Sequence, residues 1–118
     1  MTRSRSAGFS LVMTDEEAIR RVQQGDNAAF AALVDRYEPT CRRFAQRMLG
    51  DPHEADEVVQ DAFVRAYRGL GRYDHRDRFG GWLMRILVNR CRTAARRVQK
   101  RVARLVPLEA AGAVEESA

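Results

Sequence analysis

From Ile19 to Val102 the apolar residues recur every three or four positions and nowhere alternate, so this chain can bury a continuous stripe only as helices. Punctuation divides the pattern into four. The run TDEEAIRRVQQG offers Thr14 or Asp15 as cap, acids in its first turn, Ile19 and Val22 at helical spacing and Gly25 as a stop. It predicts a helix over about 15–24. Asp26 or Asn27 then caps a longer stripe of Phe30, Leu33, Val34, Tyr37, Cys41, Phe44, Ala45, Met48 and Leu49, closed by Gly50. Pro39 removes one helical hydrogen bond, but the stripe stays in phase across it, which predicts one kinked helix rather than two. Asp51 as cap, with Pro52 at the first helical position, opens a third helix carrying Ala55, Val58, Val59, Ala62, Phe63, Ala66 and Tyr67 and ending at Gly69. Residues 69–78 have no apolar period and form a loop. A fourth helix, capped by Asp77, carries Phe79, Trp82, Leu83, Ile86, Leu87, Ala94, Val98 and Val102 and ends before Pro107. The expected fold is all-α, a four-helix bundle-like domain with a kinked second helix.

With 118 residues, 45% hydrophobic and 31% charged, the chain holds one core and stays soluble. The domain is expected over 14–105, between a flexible arm at 1–13 and a linker or tail at 106–118. No apolar run approaches the length of a membrane span, so a cytoplasmic protein with no membrane insertion is expected. Cys41 and Cys91 lie far apart, and with only His53 and His75 in the chain they have no metal-ligand spacing. Enzymatic signatures fail as well. There is no Glu-x-x-His pair, no phosphate loop ending in Lys-Ser/Thr and no nucleophile elbow. Neither catalysis, a cofactor nor a metal is expected.

Charge is segregated along the chain. Residues 1–64 carry 8 arginines against 11 carboxylates, and residues 65–104 carry 13 basic residues against Asp74 and Asp77 alone. No acid interrupts Gly80 to Val106. Such a block argues for a polyanion, most often nucleic acid. Arg85, Asn89, Arg92 and Arg96, spaced by four, three and four, share one helix face that can follow a phosphate backbone, and a neutral amide among arginines can pair with a base edge. Tyr73, Phe79 and Trp82 lie beside that face. They fit either core packing or stacking on unpaired bases, which contributes roughly 1–3 kcal/mol per base. In the acidic half, Glu57, Gln60 and Asp61 form one polar stripe opposite Val58, Val59 and Ala62, which fits either a solvated face or the dock for a partner helix.

The ordered set Gly25-Asp26, Ala29-Phe30, Leu33, Arg36-Tyr37, Leu49-Gly50-Asp51, Ala55-Asp56-Glu57-Val58-Val59-Gln60-Asp61-Ala62-Phe63, Arg65-Ala66-Tyr67, Phe79, Trp82-Leu83, Arg85-Ile86 and Asn89 resembles the N-terminal domain of extracytoplasmic-function sigma factors of bacterial RNA polymerase. The resemblance covers about residues 15–104. It implies a dissociable initiation subunit whose acidic helix docks on the clamp helices of the largest polymerase subunit through Asp56, Glu57, Gln60 and Asp61. It also implies that the loop Arg72, Tyr73, Asp74 and Arg76, with Phe79, Trp82, Arg85, Asn89, Arg92 and Arg96, recognises and opens the minus-ten promoter element and captures a flipped non-template base. Where the family commonly shows Asp then Glu, this chain has Glu57 and Asp61. The family also carries a helix-turn-helix domain for the minus-thirty-five element, and this chain stops in what resembles the interdomain linker, as a truncated piece or a one-domain variant would.

Two other readings remain open on the residues. A stand-alone regulator reading duplex DNA needs a tight turn before its recognition helix, where this chain has a ten-residue loop. A protein-interaction bundle would use its arginines on an acidic partner, such as an inhibitory anti-sigma factor.

Overall fold

The computed structural model of the chain describes residues 13–73 and 78–105. Among them every regular element is helical: α1 Asp15–Gln23, α2 Phe30–Leu49, α3 Pro52–Gly69 and α4 Phe79–Leu105. The linker and tail expected at 106–118, the arm up to residue 12 and the Asp77 cap lie outside the described residues. Thr14 caps α1 by accepting from the Glu17 N–H at 3.1 Å. At its far end Gly25 takes φ +102°, and the Gly25 and Asp26 amides fold back onto the carbonyls of Val22 and Arg21. Asp51 caps α3, accepting from the His53 N–H at 2.9 Å, with Pro52 next in line as its sequence implied.

Two boundaries and three core assignments differ from expectation. Asp26 makes no side-chain cap, and a 3-10 turn over Asn27–Ala29 feeds directly into α2. Gly69 keeps a negative φ, and the chain passes through it into a second 3-10 turn, Leu70–Arg72, whose Leu70 is fully buried. The reason for glycine there is space: a Cβ at position 69 would sit 3.2 Å from the Trp82 ring. Tyr67, Met48 and Val102, read as core by period, are 39–44% exposed because they lie at the margins of their stripes. α2 runs unbroken through Pro39. Asp35 and Pro39 are both exposed, so water can satisfy the carbonyl that proline leaves without a donor.

Each of the three long helices packs against the other two, and α1 packs on α2. The core joins Ile19 of α1, Leu33 and Cys41 of α2, Val59 and Phe63 of α3, and Leu83, Leu87 and Cys91 of α4. A fully buried leucine such as Leu83 or Leu87 contributes about 1.5–3 kcal/mol. The α3–α4 pair is antiparallel, as three contacts fix: Gly69 beside Trp82, Asp61 with Arg90 at 3.2 Å, and Glu54 with Arg101 at 2.9 Å.

Tyr37 ties α1, α2 and α4 together. Its hydroxyl donates to the Asp15 carboxylate, which also pairs with Arg36, while its ring packs on Phe79 and fills the space a Cβ at Gly80 would need. Burial, then the bond to Asp15, pushes the Tyr37 hydroxyl up to about 12. Raised in the folded state, this group stabilises fully below its ordinary value near 10 and loses that contribution as pH climbs towards 12. Tyr37→Phe is therefore expected to lower stability by about 1–2 kcal/mol at neutral pH and to flatten the alkaline decline between those values. Urea denaturation followed by circular dichroism across pH measures both.

Candidate nucleic-acid and partner interfaces

Arg85, Asn89, Arg92 and Arg96 all lie exposed on one side of α4, opposite buried Leu83, Leu87, Cys91 and Ala94. Arg92, Arg96 and the Asn89 amide make no side-chain hydrogen bond or ion pair with other described residues, so their donors are open to an external acceptor. Thr93 spends its hydroxyl on the Asn89 carbonyl at 3.1 Å, leaving the Asn89 side chain uninvolved. From Arg85 to Arg96 the row extends about 16 Å along the helix axis.

The aromatics divide. Tyr73 and Phe79 are buried, 7% and 2% exposed, with ring centroids 6.2 Å apart, and Phe79 also meets Tyr37. Their rings are occupied by the core, so the structure gives them the packing role of the two read from sequence. Trp82 is half-buried, edge-on to Tyr73 at 5.1 Å and against Gly69, and is the aromatic of the three that reaches the surface. Arg72 is exposed at the end of the 3-10 turn. Asp74 and Arg76 lie outside the described residues.

On α3, Glu57 and Gln60 are exposed, and Asp61 is half-buried between Arg65 at 3.1 Å and Arg90 at 3.2 Å. Asp56 does not join their stripe. It turns towards α2 and meets Arg42 at 3.4 Å, while Arg42 also pairs with Glu38 at 2.9 Å. Glu57 lies 3.2 Å from the His53 ring, one turn earlier on the same helix. Sequence reading left out Arg90, whose partner is 29 positions away, and Arg65 and Arg68, whose three- and four-residue spacing with Arg72 was a usable signal.

Among the described residues no group of His, Cys, Asp and Glu could hold a metal, and no helix is long and apolar enough to cross a membrane. Cys41 and Cys91 are free and buried. Burial, reinforced by Cys91, pushes the Cys41 thiol up to about 11, and burial raises the Cys91 thiol as well.

The domain thus presents an exposed arginine row on one helix and an acidic stripe on the next. Comparison with known proteins gives it a family. The family described as Sigma-70 region 2 matches residues 33–102, and the chain belongs to it. It is 40% identical over 77 residues to the ECF RNA polymerase sigma factor SigW of Bacillus subtilis and 39% identical over 77 residues to the ECF RNA polymerase sigma-E factor of Escherichia coli K12. These matches cover 65% of this chain and 41% and 40% of those proteins, so the chain spans about two fifths of the curated relatives it matches. Its fold is similar to that of an engineered region 2 of sigmaE, solved by NMR in complex with GTAAAA, with a TM-score of 0.64, 35% identity, and coverage of 81% of this chain and 96% of that one. The domain is thus a Sigma-70 region 2 domain, and both curated relatives are named as ECF RNA polymerase sigma factors.

Two outcomes follow for solution work. In the native state both thiols should react with a disulfide reagent at pH 8 on the order of tenfold or more slowly than in the denatured chain. Asp61→Asn should shift the urea midpoint by less than about 1 kcal/mol equivalent, since its ion pairs are half exposed.

Proposed function

We propose that this domain is the promoter-recognition part of a transcription initiation factor, which docks on core RNA polymerase through α3 and captures the opened minus-ten element with α4. Asn89, Arg92 and Arg96, whose side chains have no hydrogen-bond or ion-pair partner among the described residues, carry the reading from one exposed face of α4. Arginine forks there would hold the non-template backbone, and Asn89 would pair with a base edge. Trp82 offers a partly exposed ring beside that row for an unstacked base. Arg72, Asp74 and Arg76 complete the capture loop, while Tyr73 and Phe79 support it from the core. Melting needs no bond chemistry: stacking and phosphate contacts to the single strand offset the few kcal/mol that opening each base pair costs. The relative solved with GTAAAA supports a single strand as the ligand.

Glu57, Gln60 and Asp61 would face a basic coiled coil, the clamp helices of the largest polymerase subunit, with Asp56 holding α3 to α2 from behind. A polymerase-bound factor works in the bacterial cytoplasm, and an anti-sigma factor would act by covering one of these faces. The expected second domain, for the minus-thirty-five element, would add affinity that this domain alone lacks.

Two titrations test the reading. This chain should bind an isolated clamp-helix coiled coil with micromolar affinity, lost in Asp61→Lys and weakened in Gln60→Ala. A fluorescent GTAAAA single strand should bind with strong salt dependence: four phosphate contacts predict roughly a 50-fold loss between 50 and 200 mM salt. Tighter binding to intact duplex, with no response to the coiled coil, would favour the stand-alone regulator instead.

A further inference from the structure

Where α3 ends, a second basic surface lies apart from the α4 row. Arg65, Arg68 and Arg72, with Asp61 and Gly69, line an open hollow of about 370 Å³. Their spacing of three and four brings the three guanidinium groups to one side as the helix passes into its 3-10 turn. Among the described residues Asp61 is the hollow's one carboxylate, and it is already shared between Arg65 at 3.1 Å and Arg90 at 3.2 Å. Arg68 and Arg72 are exposed and have no partner among the described residues. The hollow therefore keeps a net positive charge with unfilled donors, and planar guanidinium forks match the oxygens of a phosphate.

We infer that this hollow is a second phosphate site, which holds the backbone of the same single strand that α4 binds. The inference rests on the function proposed above and extends the strand's path beyond α4. Gly69 joins the two surfaces, since it lines the hollow while its backbone lies against the Trp82 ring, 3.2 Å from where a Cβ would stand. A strand leaving the Arg92 end of α4 runs about 15 Å along the helix to Trp82 and meets the hollow directly beyond it. The two sites grip the backbone on either side of an aromatic ring, which is the arrangement that holds an unstacked base in place.

The test compares two double variants of this chain by titrating fluorescent GTAAAA against salt. Both pairs are exposed, and circular dichroism is the check that each variant folds. Arg68→Gln/Arg72→Gln is expected to lower affinity several-fold at 50 mM salt and to flatten the log–log salt slope by about 1 to 1.5, the release expected for two contacts on a single strand. Arg92→Gln/Arg96→Gln should do the same. If only the α4 pair has this effect, the second site is overturned together with the place of Arg72 in the capture loop, and capture of the strand by α4 stands. If neither pair has it, the single-strand reading itself has failed. Loss of coiled-coil binding in Arg68→Gln/Arg72→Gln, with the oligonucleotide unaffected, would overturn the site in favour of a protein contact. Inorganic phosphate at matched ionic strength supplies the last arm: saturable shifts of the Arg68 and Arg72 side-chain signals by phosphate alone, with an unchanged oligonucleotide slope, would assign the hollow to a free anion and not to the strand.

Discussion

The antiparallel seam between α3 and α4 is the constraint on which the rest of this domain depends. An isolated helix as arginine-rich as α4 would repel itself, and nothing in its own sequence from Gly80 to Val106 could neutralise it. The seam solves this in two ways. Leu83, Leu87, Cys91 and Ala94 are buried on the side facing the other helices, so packing rather than local charge stabilises α4. Carboxylates of α3 then neutralise the arginines at the edge of the seam, Asp61 taking Arg90 and Glu54 taking Arg101. Because these acids reach only the near edge, the outward row keeps its charge. The same packing that makes the basic helix possible thus decides which of its arginines remain available.

Much of this was legible in the sequence because helices announce themselves by local chemistry. Thr14, Asp51, Pro52, Gly25 and Gly50 act within a few residues of where they stand, so boundaries set by them agree with the structure. The exposure of Arg85, Asn89, Arg92 and Arg96 followed from period alone. What was not legible depends on contacts between distant segments. Gly69 reads as a helix stop, yet its role is to admit the Trp82 ring, 13 positions away. Leu70 and Tyr73 read as loop residues because the Leu70–Arg72 turn has no period of its own, and they are buried by tertiary packing. The direction of Asp56 was equally hidden: one position separates it from Glu57, and 100° of helix rotation turns it towards Arg42 on α2.

The aromatic residues show how one feature of sequence can serve two purposes. Tyr37, Tyr73, Phe79 and Trp82 form one chain of ring contacts with centroids 5.1–6.2 Å apart. At one end the Tyr37 hydroxyl anchors the chain to Asp15 of α1, and at the other the Trp82 ring emerges beside Gly69. A surface aromatic backed by solvent would lose rotamer freedom when a base stacked on it. Trp82, hemmed in by Tyr73, Phe79 and Gly69, has already lost that freedom on folding. The neighbouring rings therefore contribute to the proposed single-strand interface without touching the strand, by holding the half-buried Trp82 ring in place.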